Sequence, residues 1–130
     1  MRFHFCAAFY VLIFMRFFDL TGGEKAAVYI VIALVISLEL INTAIEALTD
    51  MVSPQISEPA RIAKDCAAGA VLAAAVGAVC VAVCVFDDID GYIKIYEFFA
   101  DKPLMLVPLA ASVVGCGAFV FGKRKDTKND

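Results

Sequence analysis

The sequence contains no C-x-x-C pair, and its five cysteines (Cys6, Cys66, Cys80, Cys84 and Cys116) fall in apolar segments with no second metal ligand beside them. That setting and the odd count read as small core residues, not as a disulfide framework or a metal cage. Histidine occurs once, as His4, at the start of an apolar run, and reads as an interfacial side chain. Lys and Arg gather into no nucleic-acid patch. The first apolar run ends without an Ala-x-Ala-like cleavage site and is rich in aromatics, which argues against a signal peptide. Asp87-Asp-Ile-Asp-Gly91 lacks the downstream bidentate Glu that closes an EF-hand loop.

What is present is mostly apolar. Of 130 residues, 62% are hydrophobic and the mean hydropathy is +0.85, in several long runs separated by short charged loops. A water-soluble core does not fit that pattern, and an all-α integral membrane protein does. Membrane helices are expected over about 3–18, 24–51, 60–86 and 103–121. Asp19-Leu-Thr-Gly-Gly23 reads as a tight turn, with Thr21 or the glycines ending one helix and Glu24 opening the next. Ser57 is placed as an N-cap ahead of Pro59. The acidic, aromatic linker 87–102 is expected to lie along the membrane interface, with Tyr92, Tyr96, Phe98 and Phe99 as anchors. Gly69, Ala73 and Gly77 form the small-residue repeat of close helix packing.

Positive charge sets the expected orientation. The tail after Gly122 carries four Lys/Arg, the 51–64 loop carries Arg61 and Lys64, and Arg2 precedes the first run, whereas 87–102 sets two lysines against five acids. Both termini and the 51–64 loop are therefore expected in the cytoplasm, and 87–102 outside it.

Against this apolar background the second helix carries Glu39, Asn42, Glu46 and Asp50. At about 100° per residue they fall within roughly 80° of one another, one polar stripe on a helix otherwise fit for lipid. A carboxylate near a bilayer centre costs on the order of 3 kcal/mol or more and is retained because it faces a partner, water or a substrate. Phosphoryl transfer needs a divalent cation on carboxylate oxygens, a cation on the phosphates and a base at the acceptor hydroxyl. Glu39 would meet an alcohol presented from inside the bilayer, while Glu46 and Lys64 would meet a phosphate donor arriving from water. The residues alone leave three readings open: an enzyme of this kind, a small proton-coupled transporter using Glu39, and ion pairs of a non-catalytic membrane subunit.

The string Glu39-x-x-Asn42-Thr-Ala-Ile-Glu46-x-x-x-Asp50, followed by Ala63-Lys64-Asp65-x-Ala-Ala-Gly-Ala-Val, resembles the signature of the prokaryotic-type diacylglycerol kinases, including the undecaprenol kinases. The Asn-Thr-Ala-Ile-Glu form looks closer to the undecaprenol branch. The resemblance implies a lipid-kinase core over residues 1–86; beyond it the residues themselves give a linker at 87–102 and a fourth transmembrane helix with a basic tail over 103–130. It implies ATP-dependent, Mg2+-requiring phosphorylation of a membrane lipid alcohol, and a trimer of three-helix protomers with sites shared between neighbours. By position, Glu39 is similar to the family's catalytic base and Glu46 to its magnesium-binding carboxylate. Lys64 and Asp65 match the nucleotide-contacting pair, and Asn42 and Asp50 match polar positions lining the site or supporting it.

Two departures stand beside the resemblance. The family's N-terminal surface helix and a second metal-binding Glu precede the first membrane helix, whereas this sequence begins at Met1-Arg-Phe-His4. The expectation is a start assigned at an internal Met. The fourth apolar helix, 103–121, is absent from the best-known three-helix members.

Overall fold

A computed structural model describes residues 2–52 and 57–122. Residues 53–56 of the expected 51–64 loop and the basic tail lie outside the described residues. Five α-helices account for most of the rest: α1 (Arg2–Phe14), α2 (Gly22–Val52), α3 (Glu58–Val85), α4 (Ile89–Asp101) and α5 (Leu106–Phe121). Short 3-10 turns at Met15–Phe17 and Pro103–Met105 precede two of the connections, and no strand occurs among the described residues. Among the described residues three segments are long and apolar enough to cross a membrane: Gly22–Val52, Glu58–Val85 and Pro103–Phe121. The chain is an all-α integral membrane protein.

The first apolar run departs from expectation. It is α-helical only to Phe14, 13 residues or about 20 Å of axis, short of a bilayer core of roughly 30 Å. The helix tightens through Met15–Phe17 and then extends at Phe18, with φ −99° and ψ 140°. That extension turns Phe18 inward, where its ring meets Phe86 at 4.9 Å and Tyr92 at 5.1 Å, both edge-on. Met15, Phe18, Leu20, Val28 and Val85 form the buried cluster, so the apolar residues that lengthened the run in sequence serve instead as core.

Thr21 and Glu24 start α2 with a capping box. Thr21 donates through its backbone N–H (2.8 Å) and its hydroxyl (2.7 Å) to Glu24 Oε2, and the Glu24 N–H returns to Thr21 Oγ1 at 3.3 Å. The α3 start follows the expected form, with Ser57 accepting from the Ala60 N–H at 3.4 Å and Pro59 in the first turn.

α2 and α3 pack as the long hairpin of the molecule. Val28 and Val35 are buried on α2, and Ala67, Ala74 and Val85 on α3. The alanines, and not the glycines, make this approach: a Cβ at Gly69 or Gly77 would meet nothing within 4 Å. Gly69 and Gly77 therefore meet no other helix within the chain. The cysteines differ from expectation. Cys66, Cys80 and Cys84 are exposed on the outside of the hairpin, and all five are free thiols.

The 87–102 linker forms the amphipathic helix α4, capped by Asp88, which accepts from the Asp90 N–H at 3.1 Å. Its inner side lays Phe98 against Phe17 and Tyr92 against Phe18, while Lys94 pairs with Asp19 in the first connection. Their proximity holds the Asp19 carboxyl below its ordinary range and lifts the Lys94 ammonium above its own. Gly91 is buried under Phe18, and a Cβ there would overlap the ring. α5 runs antiparallel to α1. Arg2 Nη1 donates to the Phe119 and Gly122 carbonyls at 2.9 Å each, and Tyr10 and Ser112 share a hydroxyl hydrogen bond of 3.0 Å.

Candidate functional site

The polar stripe of α2 survives as a structural feature, but its members have different neighbours. Glu39 sits deepest, its side chain 13% exposed, and His4 Nδ1 of α1 lies 2.7 Å from its Oε1. One turn on, Asn42 Nδ2 donates to Glu46 Oε1 at 2.9 Å along the same helix. Asn42 Oδ1 is buried without a hydrogen-bond partner among the described residues. Asn42 thus works within α2, while Asp50 reaches across to α3 and pairs with Lys64. Thr43 and Thr49 return their hydroxyls to carbonyls of α2, which satisfies them without a second helix.

On α3 the expected Lys64-Asp65 pair divides. Lys64 turns to Asp50, whereas Asp65 accepts from Arg61 at 3.2 Å, and Arg61 also holds Glu58 at 2.6 Å. Glu58, Arg61 and Asp65 are all more than half exposed, and ion pairs of that kind contribute only about 0–1 kcal/mol. These charges keep a water-facing surface at the start of α3 and add little stability. Glu39 is the opposite case. Enclosing a carboxylate halfway along a membrane-length helix costs on the order of 3 kcal/mol or more. His4 is one of its contacts, and an ionisable group held at that depth is most often kept for a function.

His4 is the residue that sequence reasoning missed. Its contact depends on the register of α1 against α2, which also brings Met15 to Val28 in the buried cluster. His4 is as many residues from Met15 as Glu39 is from Val28, so the two contacts describe one antiparallel pairing. The only signal in the sequence was that this sole histidine stood on an otherwise apolar helix. Arg61 was read for its charge alone, although its spacing from Glu58 and Asp65 is the i,i+3 and i,i+4 geometry of helix ion pairs.

No three His, Cys, Asp or Glu side chains gather around a possible metal among the described residues. The stripe supplies one carboxylate of the right kind, Glu46, with one oxygen oriented by Asn42. That does not suit a resident metal held by protein alone. It does suit magnesium arriving on a nucleotide, since Mg2+ usually takes one or two carboxylates beside waters and phosphate oxygens. The chemistry on offer is then graded along α2: an enclosed carboxylate at Glu39, an oriented one at Glu46, and an interhelical cation at Lys64.

Comparisons with known proteins follow the same part of the chain. The family model of prokaryotic diacylglycerol kinase matches residues 1–86. A diacylglycerol kinase of Synechocystis sp. (strain ATCC 27184 / PCC 6803 / Kazusa) is 58% identical over 52 residues, covering 39% of this chain and 30% of that protein. An undecaprenol kinase of Bacillus subtilis (strain 168) is 41% identical over 75 residues, 58% of this chain and 61% of that one. The chain thus spans under a third of one relative and about three-fifths of the other. No solved structure matches.

Proposed function

The chain belongs to the prokaryotic diacylglycerol kinase family, and from that premise we propose that it transfers the γ-phosphoryl group of ATP to the hydroxyl of a membrane lipid alcohol, undecaprenol or diacylglycerol, at the cytoplasmic membrane surface. The observation that carries this reading is the enclosure of Glu39 in a membrane-length helix, with exposed polar groups on the same stripe towards one end. In this role Glu39 takes the proton of the lipid hydroxyl as that oxygen bonds to the γ-phosphorus. The bond to the bridging oxygen breaks and ADP leaves. Glu46 holds the magnesium that comes with ATP, and Asn42 keeps its carboxylate turned to the site. Magnesium, when bound, draws negative charge from the phosphate oxygens. Lys64 neutralises phosphate charge on exchanging Asp50 for nucleotide, and Asp65 contacts the nucleotide beside it. Asp50 parks the Lys64 ammonium between turnovers.

Family resemblance further supports a trimer, with sites completed between neighbouring chains, and the distribution of Lys and Arg supports a cytoplasmic location for the 51–64 connection. Both relatives named for lipid substrates present the same demand, one hydroxyl beneath a large apolar body, and the test therefore includes both lipids. Purified protein with radiolabelled ATP is expected to label at least one of them. Glu39→Gln is expected to lose about 10²–10⁴-fold in rate, the usual contribution of a positioned base. Labelling of neither lipid by the wild type would sink the kinase reading. Undiminished labelling by Glu39→Gln would remove Glu39 as the base.

A further inference from the structure

α4 joins two membrane-length segments, Glu58–Val85 and Pro103–Phe121, through short connections, so it lies at one membrane face, the one opposite Lys64 at the start of α3. Viewed down its axis, at about 100° per residue, its side chains fall into three sectors. Gly91, Ile95 and Phe98 face the protein: Gly91 is buried under Phe18, Ile95 packs on the buried cluster, and the rings of Phe98 and Phe17 are 5.3 Å apart. Asp90, Glu97 and Asp101 form an exposed acidic edge. The third sector, Ile89, Ile93 and Tyr96, points directly away from the protein, yet it is apolar and 68%, 48% and 75% exposed. A helix with water along its outer side carries polar residues opposite its buried face. In α4 the polar residues stand to one side instead, which leaves the outer face fit for lipid and the acidic edge for water.

We infer that α4 is an interfacial anchor: Ile89, Ile93 and Tyr96 enter the headgroup–acyl boundary of the bilayer, Asp90, Glu97 and Asp101 stay in water, and the anchor sets the depth of Glu39. The last part rests on the reading of Glu39 as the base. Continuity with the two spans names lipid as the occupant, because a helix strung between membrane-crossing segments at their common end has the bilayer beside it. α4 is also fastened to the first connection, by Lys94 on Asp19 and by Gly91 under Phe18, so its level fixes the level at which α2 starts. Measured from Gly22 and from Val85, a hydrocarbon core of roughly 30 Å ends about level with Asn42 on α2 and Asp65 on α3. Charge resumes on α3 at that point, with Asp65 and Lys64, and Glu46 and Asp50 lie beyond it on α2. Glu39 is the only charged residue between Lys25 and Asn42, and it stops about 5 Å inside the boundary. That is the level of a hydroxyl whose apolar body lies in the core. A bundle not held at the far face would ride up or down and carry Glu39 off that level.

The sequence has no tryptophan, so a single introduced one reports without background. Full-length protein is placed in phosphatidylcholine nanodiscs, which leave both membrane faces open to solutes, as Tyr96→Trp or as Glu97→Trp. Lipids brominated high on the acyl chain are expected to quench the emission of Tyr96→Trp strongly and iodide to quench it weakly, with the reverse for Glu97→Trp. Equal quenching of the two variants by iodide overturns the anchor. The effect on depth is read from Ile93→Glu combined with Tyr96→Glu, two outward positions whose replacement leaves the packing of α4 intact. The pair is expected to raise the KM for lipid about fivefold or more with the KM for ATP within about twofold, while Glu97→Gln keeps both at the wild-type value. Wild-type lipid kinetics in the double variant, at equal thermal stability, overturns the role in depth and leaves the kinase reading intact. A wild type that labels neither lipid overturns the kinase reading and the role in depth together, and the quenching experiment then judges the anchor alone.

Discussion

Lys64 has one observed partner and one proposed one, and the difference between them can be measured. Its pairing with Asp50 is partly exposed on both sides, so breaking it should change stability little. Its charge on a nucleotide phosphate would contribute more, about 1.5–3 kcal/mol for a hydrogen bond to a charged group, or roughly ten- to a hundredfold in binding. Lys64→Met is therefore expected to raise KM for ATP about tenfold or more, with the melting temperature almost unmoved. Asp50→Asn, which only frees the lysine, should leave KM for ATP within a few-fold of wild type. Steady-state kinetics at varied ATP read both. Equal damage from the two substitutions would mean that the interhelical pair itself is what the site requires. Asn42 was expected to line the site or to support it, and the bond it makes, to Glu46, lies within α2.

At the scale of elements, α4 shows how a polar linker acquires a fixed place. Gly91 lies under Phe18, and the ring occupies the space a side chain would need. Gly91→Ala should gain about 1 kcal/mol of helix propensity and lose about 1–3 kcal/mol to overpacking, a net destabilisation visible as a lower melting temperature. An unchanged or raised melting temperature would show that Phe18 moves aside easily. The long helices α2 and α3 were legible in the sequence because their apolar length, Glu24 at the start of α2, the Ser57 cap and Pro59 are all local signals. The early end of α1 was not. Nothing local distinguishes Phe18 from the phenylalanines before it, and only Phe86 and Tyr92, far along the chain, give it a place to go. The same reason hid His4: a polar stripe is written in one helix, but its partner is chosen by the register of another.

For the whole molecule, the glycine-bearing face of α3 tests the proposed trimer. Gly69 and Gly77 have open space around them within the chain, and Cys66, Cys80 and Cys84 are exposed as well. If neighbouring chains approach along that face, Gly69→Leu with Gly77→Leu should lower the oligomer mass seen by light scattering in detergent, with the helical content unchanged. A trimer that survives both substitutions would place the neighbour on another surface, such as the outward Leu34, Ile41 and Leu48 of α2. Membrane character and helix order were readable from composition. The assignment of partners to faces was not, because in lipid an outward apolar side chain and a buried one look alike in sequence.

The clasp between Arg2 and the end of α5 also carries a consequence in time. Arg2 grips the Phe119 and Gly122 carbonyls, so the first of the described helices is tied at its tip to the last of them. His4 stands half a turn from that clasp. During synthesis α1 can meet α2 early, but its tip is pinned only once α5 has been made and inserted.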